Sequence, residues 1–86
     1  MYLHLGGDVV IPLEELVAII DLEAVKSREA TREFLSFAAE EQAAVHISKE
    51  TREKSAILTT HRIYFSPISS ATLLKRARSG GPGVRG

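Results

Sequence analysis

The sequence predicts an α+β domain: a small, mostly antiparallel sheet of about five or six strands, one longer helix and a short C-terminal helix. Three observations predict it. Short runs rich in β-branched and aromatic residues recur between turn signals, as in Ile57-Leu58-Thr59 and Ile63-Tyr64-Phe65. Residues 28 to 42 switch to helical spacing. Pro67 then cuts the last strand, and Ser69 or Ser70 stands ready to cap a C-terminal helix.

Taken in order, Tyr2-Leu3-His4-Leu5 reads as a strand, Gly6-Gly7-Asp8 as a turn, and Val9-Val10-Ile11 as the returning strand. Pro12 ends that strand because it lacks an N–H to donate. No Gly-Lys-Ser/Thr comes after the paired glycines, so they are turn residues and no phosphate loop. Leu13-Glu14-Glu15 is a connector, and the continuous apolar run Leu16 to Leu22 reads as a central strand.

Ser27 is placed to cap a helix from Arg28 to about Gln42, with Glu29 in the first turn where negative charge suits the helix dipole. Ala30, Phe34, Phe37 and Ala38 form its apolar stripe, expected to face the sheet, while Glu29, Arg32, Glu33, Ser36 and Glu40 face away. Ala44 to Ser48 returns to strand pattern, and Lys49-Glu50-Thr51-Arg52-Glu53-Lys54 reads as a charged hairpin loop. Strands at Ser55 to Thr59 and Arg62 to Ser66 come next, closed by Thr60-His61. The last helix offers Leu73, Leu74 and Ala77 inward and Lys75, Arg76 and Arg78 outward. Residues 1–78 are thus expected to form a single α+β domain, and the Gly-rich residues 79–86 a disordered tail.

Composition narrows the function. A chain of 86 residues without cysteine buries roughly 60% of its unfolded surface and has no disulfides to add, so self-assembly into a homo-oligomer is expected. The N-terminal residues lack a basic segment leading into an apolar run, and no stretch is apolar enough to span a bilayer. A soluble, unexported, cytoplasmic protein without a membrane partner is therefore expected. Net charge is zero, but residues 1–43 hold three Lys/Arg against nine Asp/Glu and residues 44–86 hold eight against two. Halves of −6 and +6 suit nucleic-acid contact or complementary subunit pairing.

Catalysis is not expected. His4, His46 and His61 stand at no metal-ligand spacing, and the paired acids Glu14-Glu15 and Glu40-Glu41 sit at element ends where carboxylates are ordinarily solvated. Neither a cofactor, a metal nor a small-molecule substrate is called for. The basic residues carry more: Lys49, Arg52 and Lys54 in the loop, Arg62 on the next strand, and Lys75, Arg76 and Arg78 on the last helix are the candidate DNA contacts. Cations in a last helical turn also stabilise the helix whatever they touch. One copy neutralises few phosphates, and repetition around an oligomer multiplies that weak contact.

Several segments also resemble one family. Tyr2-Leu3-His4-Leu5-Gly6, Val9-Val10, Ile19-Ile20-Asp21 and above all Ile63-Tyr64-Phe65-Ser66-Pro67-Ile68-Ser69-Ser70, with Leu73, Lys75, Arg76 and Ala77 after it, are similar to the extracellular-matrix regulatory (Rem) family, on its RemB-like branch. The resemblance spans about residues 2–78. It implies a bacterial cytoplasmic regulator of biofilm-matrix genes. The RemA branch implies DNA-binding transcriptional activation by small α+β subunits assembled into rings, with adjacent loop arginines on the DNA. Here the corresponding place holds Glu50-Thr51, flanked by Lys49, Arg52 and Lys54. The leading expectation is a DNA-binding transcription regulator acting as an oligomer. The alternative is an assembly module that pairs with a related regulator and has no DNA affinity of its own.

Overall fold

The computed structural model describes residues 1–24, 28–41, 43–79 and 84–85. The α+β class holds, with the strands divided between two sheets. In the first, β1 (Tyr2–Gly6) pairs antiparallel with β2 (Val9–Pro12) and, on its other side, with β7 (Val84–Arg85). The turn needs its glycines: Gly6 and Gly7 have φ of 122° and 53°, where a side chain would be strained. Pro12 is the final residue of β2, opposite Tyr2.

The second sheet runs in the order β3 (Leu16–Asp21), β5 (Ser55–Thr59), β6 (Arg62–Ser66), β4 (Ala43–His46). Three expectations change here. The apolar run Leu16 to Asp21 forms an edge strand and not a central one, and no residue in it is fully buried. Its hydrophobicity serves a helix packed on it, α2 (Ser70–Ser79), and a groove lined in part by Val17. Strand β4 pairs parallel with β6, leaving β3–β5 and β5–β6 antiparallel. Residues 47–54 are consequently no hairpin loop, because β6 lies between the strands they connect.

The β5–β6 turn forms as expected, held by Thr59. Its hydroxyl donates to the Arg62 carbonyl at 2.8 Å and accepts from the Arg62 and His61 N–H groups at 2.9 and 3.4 Å. After Pro67 the hydroxyl of Ser69 accepts from Thr72 N–H at 3.3 Å, capping α2. Of the expected tail, Ser79 closes α2, Val84–Arg85 form β7, and residues 80–83 and 86 lie outside the described residues.

The core fills the space between the sheets and α2: Leu3, Leu5, Ile11, Ile57, Tyr64 and Leu73 are buried together, with Val45, Ile68 and Ala77 against them. Leu74, expected inward, is largely exposed. Period-two alternation sends Ala56, Leu58, Ile63 and Phe65 to the opposite face of the second sheet. There the longer helix, α1 (Glu29–Glu41), contributes buried Leu35. Its expected cap, Ser27, and its expected last residue, Gln42, lie outside the described residues.

Phe34 and Phe37 do not face the core: they are 51% and 62% exposed. Among the described side chains Thr31, Leu35 and Ala38 are the covered ones, and their i, i+4, i+7 spacing is itself a helical stripe. The two rings flank it, and with Val17, Leu58 and Ile63 they line an open apolar groove of about 400 Å³.

A buried side-chain hydrogen bond joins the two sheets across their shared core. Buried Ser66 donates its hydroxyl to the Leu5 carbonyl at 2.5 Å and accepts from Ile68 N–H at 3.0 Å. Ser66→Ala is expected to orphan both backbone groups and destabilise the fold by about 1–3 kcal/mol. The melting midpoint should fall roughly 4–8 °C per kcal/mol, while Ser36→Ala on the exposed side of α1 should leave it nearly unchanged. Thermal unfolding monitored by circular dichroism checks both.

Candidate nucleic-acid interface

The crossover between β4 and β5 begins and ends on one spot. Ile47 N–H donates to the Phe65 carbonyl at 3.0 Å and Lys54 N–H to the Ser66 carbonyl at 2.8 Å, so successive carbonyls of β6 hold the two ends of the loop. From the other side, Leu22 N–H donates to the Lys54 carbonyl at 3.0 Å. Within the loop, Ser48 accepts from Thr51 N–H at 3.1 Å, a hydroxyl-closed turn that aims Lys49 and Glu50 outward. Lys49, Glu50 and Thr51 are exposed at its tip.

One ion pair and one side-chain hydrogen bond arrange the local charges. Arg52 meets Glu23, and His46 meets Glu53 with Nδ1 to Oε2 at 2.6 Å. Because an ionised carboxylate only accepts, the imidazole Nδ1–H is the donor. Glu53 is thereby turned to the loop base, and among the described residues neither Lys49 nor Lys54 forms an ion pair. The exposed Arg52–Glu23 contact is easily exchanged, since surface pairs contribute only about 0–1 kcal/mol. The arrangement suits a phosphate: lysine tips in solvent on a backbone fixed at both ends.

The seven sequence-predicted cations do not all converge. Lys49, Arg52 and Lys54 share the loop. Arg62 opens β6, opposite Ala43 and roughly 13 Å of strand from the Ser66 end where the loop is held. The N-terminal end of α2 lies near the loop, since Ser55 donates its hydroxyl to the Ile68 carbonyl at 2.7 Å. Lys75 and Arg78 are exposed farther along it, about 8 and 12 Å from that end by helical rise. Arg76, expected outward, turns toward the first sheet and donates Nη1–H to the His4 carbonyl at 3.4 Å.

Two residues at this site have no mark in the linear pattern. Phe65 reads as an ordinary strand aromatic and His46 as an ordinary strand histidine. The parallel β4–β6 register sets them side by side, with rings stacked at 4.8 Å between centroids and 10° between planes. Their pairing depends on strand order, which hydrophobic patterning does not report. Among the described residues no group of three or more His, Asp or Glu side chains is arranged to hold a metal ion. No described helix is long and apolar enough to cross a membrane.

Comparison with known proteins places the sequence in a family. A family model described as RemA-like, extracellular matrix regulatory protein A-like, matches residues 2–77. The chain is also 40% identical over 78 residues to extracellular matrix regulatory protein B of Bacillus subtilis (strain 168), a match covering 91% of each chain.

The loop backbone is held by bonds that do not involve its basic side chains. The triple change Lys49→Ala/Arg52→Ala/Lys54→Ala should therefore leave the fold intact and alter unfolding free energy by no more than about 1 kcal/mol. Denaturant titration of the variant beside the unchanged protein measures this. A loss of several kcal/mol would show that the loop charges hold the structure.

Proposed function

Because the chain belongs to the RemA-like family of extracellular matrix regulatory proteins, we propose that it is a cytoplasmic transcription regulator of biofilm-matrix genes that binds DNA as a homo-oligomer. No catalytic step is part of this role. The observation that carries the reading is the crossover loop, held at both ends on β6. Among the described residues its Lys49 and Lys54 form no ion pair, and Glu53 is drawn aside by His46. Lys49, Arg52 and Lys54 are the first phosphate contacts. Arg62, Lys75, Arg76 and Arg78 add positive charge elsewhere on the subunit and reach a duplex where several subunits lie along it.

Assembly is supported by the exposed apolar face of Val17, Phe34 and Phe37. A second copy is the occupant that fits. The groove adjoins β3, an edge strand with no further strand on its outer side among those described. A copy laid along that edge covers apolar side chains and unpaired backbone groups together. Linking copies in this way turns a weak loop contact into avid binding, since each further loop engages at high effective concentration.

A second reading is favoured by the same exposed face and by Glu50 at the loop tip: an assembly module that joins a related regulator and lacks DNA affinity of its own. Gel shifts at low and high salt separate the two. DNA binding that weakens as salt rises, and that falls at least about tenfold in the Lys49→Ala/Arg52→Ala/Lys54→Ala protein, supports the regulator. Absence of a shift at low salt supports the module. In light scattering, Phe34→Asp/Phe37→Asp should reduce the particle to smaller species with circular dichroism unchanged. An unchanged particle mass would place the subunit contact elsewhere.

A further inference from the structure

The stacked pair beside the basic loop has an unused side. His46 lies on β4, at the outer edge of the sheet, and packs one ring face on Phe65 of the neighbouring strand. No strand among those described lies beyond β4 to cover the other ring face, and the His46 side chain is 53% exposed. Its rotation is set by two contacts at once, the Phe65 ring at 4.8 Å and the Glu53 carboxylate at 2.6 Å. Beside it opens a recess of about 410 Å³ lined by His46, Ser48, Lys49, Thr51, Arg52 and Glu53.

We propose that the open face of His46 is a stacking platform for the base of an unpaired nucleotide in a nucleic-acid strand, with Lys49 and Arg52 beside it for the phosphate. The proposal rests on the reading that this chain contacts nucleic acid and adds the class of ligand the loop takes. Every nucleobase presents a π-face, so a flat ring fixed in advance accepts any of them, and such stacking beside a basic groove is how unpaired strands are held without sequence preference. Inside a duplex both faces of a base are already covered by its neighbours. The platform therefore selects single strands, frayed ends or locally opened DNA. Glu53 keeps a phosphate off the ring itself and offers its carboxylate to an exocyclic amine at the base edge. Lys49, toward the loop tip, is left for the phosphate, and Arg52 reaches it by exchanging its exposed partner Glu23.

Fluorescence anisotropy with a labelled single strand, an abasic strand of the same length and charge, and a duplex tests the proposal on the full chain. The expected result is that the base-bearing strand binds about fivefold or more tighter than the abasic one. His46→Ala should remove that difference and His46→Phe should keep it, with abasic binding weakened alike in the two variants because each releases Glu53 beside Lys49 and Arg52. Equal binding of the base-bearing and abasic strands overturns the proposal with no variant needed, as does an unaltered ratio in His46→Ala. Duplex and abasic binding without base preference overturns stacking alone and leaves the regulator reading standing. Failure of all three probes to bind overturns both. Displacement of the strand by sub-millimolar free nucleoside monophosphate would make the free nucleotide the occupant and overturn the strand assignment.

Discussion

Three parts of this fold meet at the buried end of β6: the junction of the two sheets, the end of the crossover loop and the start of α2. The Ser66 hydroxyl joins that strand to β1 of the other sheet, and its carbonyl receives Lys54 at the end of the crossover loop. One residue later Pro67 forces the chain out of the ladder, and its departure lets Ser69 start α2. A small domain has little core with which to fix separate elements. Concentrating sheet junction, loop anchor and helix start at one strand end lets few buried contacts set the geometry of all three.

That economy has a consequence for electrostatics. The loop is ordered by backbone bonds, so its side chains are left for other work. Arg52 and Glu53 are held by Glu23 and His46, and Lys49 and Lys54 point into solvent on a fixed frame. Charge placed in this way attracts phosphate without first ordering a flexible segment, which lowers the entropic cost of contact. In the proposed function a single loop would bind weakly, because Glu50 sits among its cations and one subunit offers few phosphate contacts. The exposed Phe34 and Phe37, which line a groove with Val17 of β3, are the counterpart in the proposed function: an apolar surface for a second copy, by which several such loops would meet one duplex.

Parts of this were legible in the residues themselves. The β5–β6 turn announced itself because Thr59 to Arg62 joins two β-rich runs, and the end of β6 because proline cannot continue a ladder. The segment from Ile63 through Ser70, the end of β6 and the start of α2, carries the resemblance to the family that the comparisons bear out. Strand order was not legible. An apolar run looks the same whether it is central or at an edge, and Leu16 to Asp21 is apolar at the edge because α2 packs on it and Val17 lines the groove. Residues 47–54 look like a hairpin connection whenever the strand they cross is out of view. Helix α1 offered two overlapping stripes, Phe34/Phe37 and Thr31/Leu35/Ala38, and only packing decides that the less aromatic one goes inward. The His46–Phe65 stack belongs to the same class, since it exists only once β4 lies parallel to β6.

The central claim is that phosphate contact comes from the pinned loop and is multiplied by assembly, and the salt dependence of duplex affinity tests it most directly. Three loop cations on one subunit allow a slope of log K against log salt no steeper than about −2.7. Loops gathered from several subunits predict a clearly steeper slope, with oligomer and DNA complex of matching subunit number. A slope no steeper than the single-loop value, or no binding at the lowest salt, would contradict the account.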